Sequence, residues 1–368
     1  MPYRSLYIHV PFCHGGKCDY CAFYSVAEAP SALRTAWLER LRRDFAAGAP
    51  SCEPLRSVFI GGGTPSCLEI NELQELFEAV RAAFGLADGC EWSMEANPES
   101  LTAEKVALAV EHGVNRFSLG VQSFQEDLRR RIGRRGTLER LPSLCEAIHG
   151  QPDVRLNLDL IYAIPGETVE MWRDDLRQAL ACRPDHLSCY SLIVEEGTPL
   201  AARSLPRVSD DAFLACWKLT GETLAAEGLP RYEISNFARP GCRCRHNDEI
   251  WHGQTYLGCG PAAVSFDGRD RHAEPANLAA WLASHEPTVD TLPPAARRRE
   301  ILAFAMRTVE GWPWPLLQET CGWTRADLEA DAAVREAQAR QLALLDDDGF
   351  RPTEEGLLFN DDLLELLL

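Results

Sequence analysis

Through the first half of the chain, short apolar or β-branched runs alternate with longer stretches whose apolar positions recur every three or four residues. The short runs, at residues 6–10, 57–60, 91–95, 116–121, 155–162 and 186–193, predict six strands. The longer ones, at 32–47, 69–84, 103–111, 138–148 and 169–181, are long enough to return across a sheet as amphipathic helices. This rhythm predicts parallel βα units and an α/β fold class. Periodicity fits an open six-unit (β/α) barrel and a doubly wound sheet equally well.

Beyond residue 197 the rhythm changes. A helical stretch at 210–227 precedes an irregular one at 232–268, rich in Cys, Gly, Asn, His and aromatic residues. Helical periodicity returns from 293 to 306 and from 325 to 345, and residues 349–359 carry hairpin-like turn residues. We therefore expect a barrel core over residues 1–200, a capping segment over 201–290, and a winged-helix-like α+β module over 291–368.

Polar or Gly-rich groups follow the expected strand ends, at residues 61–65 and 95–98 and at Gln122, Asp159 and Ser191. Parallel α/β folds build their sites at the carboxyl ends of their strands, so these positions should converge on one rim.

The chain has 368 residues, 46% apolar and 25% charged, which is ordinary for a globular protein. Its net charge of −18 opposes attraction to phosphate and argues against nucleic acid as a partner. We see no leader pattern and no apolar run of about 18 residues, so we expect a cytoplasmic protein with no membrane span. The fourteen cysteines are then reduced thiols, some of them metal ligands.

Cys13, Cys18 and Cys21 lie within nine residues, just after the first expected strand. Three soft thiolates so close together can wrap one iron–sulfur cluster and leave an iron open to another ligand. Structural zinc is the rival reading; it needs a fourth ligand, for which His14 or a distant cysteine would serve.

The stretch from Tyr7 through Cys13 to Phe23 resembles the signature of the radical S-adenosylmethionine (SAM) superfamily, in the branch of oxygen-independent coproporphyrinogen III oxidase and the HemW-type haem chaperones. That branch spaces its first two cysteines by three residues; here the gap is four, with Gly15-Gly16 as the point of insertion. The resemblance implies a partial (β/α)6 radical SAM barrel, a [4Fe–4S] cluster, SAM and an electron donor for the cluster. It also implies that Tyr7, Tyr20, Gly62, Gly63, Thr64, Glu95, Gln122, Arg134, Asp159 and Ser191 meet SAM or a second SAM-like ligand.

Within that branch, Cys21 is followed by Ala22-Phe23-Tyr24 and not by the further cysteine of the oxidase. His246, Asn247 and Trp251 resemble the haem-associated motif of the chaperone type, with Ile250 in place of its tyrosine. A neutral imidazole can ligate haem iron and a tryptophan can pack on the macrocycle. His246 and Asn247 bonding a buried loop while Trp251 fills core is the alternative. The resemblance thus implies binding of haem or a related tetrapyrrole as cargo and its transfer to a recipient protein. Radical chemistry on a porphyrin, by decarboxylation or ring opening, is the second possibility, a zinc-stabilised interaction protein the third, and SAM cleavage stays open.

Overall fold

A computed structural model describes residues 1–203 and 205–368. Six strands form its centre: β1 (Tyr3–Val10), β2 (Cys52–Gly62), β3 (Leu86–Ala96), β4 (Arg116–Gln122), β5 (Arg155–Tyr162) and β6 (His186–Ser191). They pair in parallel and in chain order, β1 to β6. A doubly wound sheet reverses direction at its switch point. Sequential order without reversal is the barrel progression, which decides between the two folds that periodicity left open.

Crossover helices α1 (Ser31–Gly48), α2 (Ile70–Ala83), α3 (Ala103–Glu111), α5 (Leu141–His149) and α6 (Val169–Ala181) match the expected positions to within a few residues. Helix α4 (Glu126–Arg131) was not expected, because six residues are too few to show a period. Helix α5 starts three residues late, with Pro142 in its first turn, where a missing amide costs nothing. Strand β6 ends at Ser191, short of the expected Ile193, with the Leu192 amide making its last bond to β5 at the Tyr162 carbonyl, 2.9 Å away.

The strands alternate strictly. Leu6, Ile8 and Val10, like Trp92 and Met94 or Phe117 and Leu119, face outward into the helix layer and belong to the main core. Their neighbours point inward and are mostly polar: Ser5, Tyr7 and His9; Glu91, Ser93 and Glu95; Arg116 and Ser118; Asn157 and Asp159; His186 and Ser188. An interior lined this way is a place for ligands, because buried polar groups need partners.

The irregular stretch contains more order than its composition predicts. After helix α7 (Asp210–Ala226), strand β7 (Asn236–Ala238) runs antiparallel to β6 at one edge of the sheet. Helix α8 (Arg245–Trp251) follows, and β8 (Tyr256–Cys259) pairs in parallel with β1 on the other edge. Strands β9 (Val264–Phe266), β10 (Arg271–Ala273) and β11 (Thr288–Asp290) extend that edge to give eleven strands. From helix α9 (Pro294–Ala305) onward, a second core of Leu302, Trp312, Phe350 and Leu363 joins short helices to a three-stranded antiparallel sheet of residues 312–313, 349–352 and 343–345. Among the described residues, no helix is long and apolar enough to cross a membrane.

Candidate functional site

Beyond Val10, Phe12–Cys13 pairs in parallel with Val26–Ala27 and closes the base of the cysteine loop. Gly15 and Gly16 follow with φ of 76° and 97°, a region that side-chain-bearing residues avoid. The four-residue gap is therefore taken up by two consecutive left-handed glycines. Glu28 steadies the turn, accepting from the Gly15 amide at 2.6 Å.

The rest of the loop is tied to several separate elements. The Asp19 amide donates to the Ile132 carbonyl at 3.0 Å, and the Asp19 carbonyl accepts from Leu200 at 2.8 Å. The Tyr24 hydroxyl accepts from the Leu278 amide at 2.6 Å. His9 donates through Nε2 to the Tyr24 carbonyl at 2.9 Å, which leaves Nδ1 to accept from the Tyr7 hydroxyl at 3.1 Å.

Two donors reach the sulfurs. Thr64 Oγ1 lies 3.8 Å from Cys13 Sγ, and Arg134 Nη1 lies 3.7 Å from Cys18 Sγ. Among the described residues, no three His, Cys, Asp or Glu side chains converge as they would on a single ion. A cubane cluster makes no such demand, since each thiolate takes a different iron. Three half-buried thiols on an anchored loop, with donors beside two of them, fit that group.

The strand ends close around this loop. Adding a Cβ to Gly63 would place it 2.5 Å from the Phe12 carbonyl, and adding one to Gly62, at φ 104°, would place it 2.6 Å from the His9 ring. These glycines let β2 run against the loop's first residues. Their amides are already taken: Gly62 by Glu95 at 3.1 Å, Gly63 by Val10 at 2.8 Å and Thr64 by Phe12 at 2.7 Å. A ligand would therefore meet this segment through acceptors, which suits an ammonium group.

Arg134, expected from the sequence, joins the neighbouring strands. Its Nη2 donates to Asn97 Oδ1 and to the Gly120 carbonyl, each at 2.7 Å, and Asn97 donates to Thr64 Oγ1 at 3.2 Å. Gln122 is nearly buried at φ 69°, where β4 shifts register against β5. Strain of that kind in a non-glycine residue is held by its surroundings and marks functional sites. Asp159 accepts from Ser118 at 2.7 Å and from Asn157 at 2.8 Å. Burial holds the Tyr7 and Tyr20 phenols well above their usual range.

Ser191 does not join this set. Alternation along β6 turns it toward the helix layer, in register with Tyr162, whose ring packs on Trp172 and Phe213. Tyr190 is the residue that faces inward.

Burial first, and then the nearby Asp159 charge, push Glu95 up to about 8. A carboxyl with a raised native pKa keeps a proton that the unfolded chain has released, so stability falls as pH climbs from the ordinary carboxylate range to about 8. Glu95→Gln is expected to be more stable than the parent above pH 8, by roughly 4–5 kcal/mol, and to converge with it toward pH 5. Unfolding temperatures across that range check this; parallel curves would remove the Glu95 charge from the account.

The haem-associated motif lies elsewhere, at the opposite, amino-terminal end of the strands. The amides of Arg245 and His246, at the start of α8, donate to Glu91 at 3.1 and 3.2 Å. Hydrogen-bond direction fixes the His246 tautomer: Nδ1 donates to Ser57 Oγ at 2.8 Å, Ser57 to Ser5 at 2.9 Å, and Ser5 to Glu249 at 3.3 Å. Burial, helped by Arg116, lowers its pKa to about 3, so the ring is neutral with Nε2 unprotonated, the form that ligates metal. Yet the ring is only 3% exposed and stacks on Phe59 at 5.1 Å. A macrocycle would reach it only if α8 moved. Trp251 packs instead against Tyr232 and the Arg307 guanidinium. His246 and Trp251 therefore do not present a common open face, as in the second of the two sequence readings, with Glu91 binding their helix to the sheet.

Sequence reasoning placed Asn97, within 95–98, on the rim but missed Ser118 and Asn157, which hold Asp159, and Glu91, which holds α8. The signal was present as polar residues at every second position of strands that are buried on both faces.

A model of the radical SAM superfamily matches residues 7–179 of the chain. The chain is 33% identical to the heme chaperone HemW of Escherichia coli K12 over 100% of its own length and 99% of that protein's. It is 30% identical to the heme chaperone HemW of Haemophilus influenzae, over 100% and 98% of the two chains. Among solved structures, the radical SAM enzyme coproporphyrinogen III oxidase of Escherichia coli superposes with a TM-score of 0.86 over 100% of this chain and 91% of that one. At 21% identity, this is a likeness of fold.

Proposed function

The chain belongs to the HemW family of radical SAM proteins, and on that premise we propose that it is a haem chaperone, which binds haem and passes it to a recipient protein. The superfamily implies a [4Fe–4S] cluster and SAM. Cys13, Cys18 and Cys21 would hold the cluster, with Tyr7, Tyr20, Gly62, Gly63, Thr64, Glu95, Gln122, Arg134 and Asp159 around SAM. The observation that carries the reading is the convergence of the cysteine loop with residues from separate strand ends, through Thr64 on Cys13 and Arg134 on Cys18.

When bound and reduced by an electron donor, these groups supply one-electron chemistry at the SAM sulfonium. The protein's part is positioning. Arg134 holds the Cys18 side of the loop against β4 while placing a cation beside the sulfur. Thr64 links the Cys13 sulfur to Asn97, so both sides of the loop share one network. Glu95 and Asp159 give the mouth acceptors for ribose hydroxyls.

For the cargo, neutral His246 is the proposed iron ligand, with α8 leaving its seat on Glu91 to expose it. Anaerobic reconstitution followed by haem titration, in wild type and His246→Ala, tests this. The expected result is a saturable Soret band in a brown iron–sulfur protein, altered in the variant at unchanged iron content. A cluster-loaded protein without saturable haem binding would overturn the chaperone reading. Substrate-dependent SAM consumption with a modified porphyrin would replace it with radical catalysis.

A further inference from the structure

Ser93 on β3 and Arg116 on β4 stand opposite one another in register, both facing the barrel interior. Ser93 is 0% exposed and Arg116 3%. Among the described residues, neither Ser93 Oγ nor Arg116 Nε has a hydrogen-bond partner. Native proteins seldom leave two buried polar groups unsatisfied side by side, least of all when one is charged.

The carboxylates of Glu91 and Asp159 face the Arg116 charge but make their hydrogen bonds to other groups. Glu91 accepts from the Arg245 and His246 amides and lies 3.8 Å from Arg155. Asp159 accepts from Ser118 and Asn157, and Glu95 from the Gly62 amide. Two residues further along the strands, about 7 Å toward the mouth, stand Glu95 and Ser118, themselves register partners. Ser93 Oγ and Arg116 Nε therefore lie one level below the SAM residues, within the same polar lining.

We infer that Ser93 and Arg116 form a site for a carboxylate group, with the guanidinium supplying the charge and its planar donor fork and the serine hydroxyl a further donor. A planar monoanion suits this place. The fork matches carboxylate geometry, and an interior that also holds Asp159 and Glu91 repels a dianion more strongly. Two sources share the chemistry: a free small monocarboxylate, or the propionate arm of a tetrapyrrole. The second source rests on the chaperone reading.

The test uses the full chain, anaerobically reconstituted, as wild type, Ser93→Ala and Arg116→Gln. Sodium propionate is titrated calorimetrically against sodium chloride at equal ionic strength, and haem is compared with haem dimethyl ester, whose carboxylates are blocked. Saturable propionate binding that weakens about tenfold in Ser93→Ala supports the site with a free carboxylate as ligand. Haem binding about tenfold tighter than its ester, with the difference shrinking in Ser93→Ala, supports it with the tetrapyrrole as ligand. Arg116→Gln should abolish either effect; should it fail to fold, Ser93→Ala decides alone, since it removes only a hydroxyl without a partner. Propionate indistinguishable from chloride, together with equal affinity for haem and ester, overturns the site. Saturable propionate binding without any tetrapyrrole binding overturns the chaperone reading and leaves the site standing.

Discussion

Cys18→Ala is expected to yield a folded protein that retains almost no iron or acid-labile sulfide after anaerobic reconstitution. The loop does not depend on that sulfur for its shape. Its course is set by strand pairing at Cys13, by the Asp19 bonds to Ile132 and Leu200, and by Tyr24 on His9 and Leu278. Removing a half-buried thiol should cost about 1 kcal/mol or less of stability. What disappears is one of three thiolates for a group that each must anchor, and the Arg134 cation loses its sulfur partner. Cys242→Ala, on the loop before α8, serves as the control and should retain full iron. Iron and sulfide analysis beside circular dichroism separates loss of ligation from loss of fold. Undiminished iron in Cys18→Ala would place the ligand set elsewhere.

Glu91→Ala should cost about 3–5 kcal/mol of stability in denaturant unfolding. Its carboxylate is buried inside the barrel and takes the amides of Arg245 and His246, lies 3.7 Å from the Cys244 sulfur and neighbours Arg155 at 3.8 Å. Alanine leaves buried donors with no acceptor and frees α8 from the sheet. Glu91→Gln retains one acceptor oxygen and should recover part of the loss. A change below about 1 kcal/mol would mean that α8 holds its place through packing alone. If α8 must move for haem to reach His246, Glu91→Gln should also speed haem uptake, measurable by stopped-flow absorbance.

Much of the barrel was legible because its outward faces obey period two and its helices period 3.6. The helices at 103–111 and 169–181 appear with the bounds their periodicity predicts. Strands β2 and β3 run longer than expected, since polar residues such as Glu53, Arg56 and Asp88 weaken the apolar signal without preventing backbone pairing. Strands β7 to β10 are three or four residues long, too short for any period to register. At the site, the cysteines, Gly62, Gly63, Thr64, Glu95 and Arg134 could be read because their types and order are unusual. Ser191 was misassigned because a strand-end position does not tell which face a side chain takes. Residue types alone gave His246 a plausible ligand role; only long-range hydrogen bonds to Ser57 and Glu91 reveal how it is held.

The position of β1 bears on how the protein is made. That strand pairs on one side with β2 and on the other with β8, and the loop it delivers is pinned at Tyr24 by the amide of Leu278. Contacts spanning some 250 residues close slowly, and during synthesis they cannot form until the later segment has left the ribosome. The three cysteines are made some 240 residues before the segment that completes their setting. Metal delivered before residues 256–278 are made would meet a loop that still lacks two of its anchors, so a cluster on these cysteines is expected to be inserted only after that segment has folded against β1.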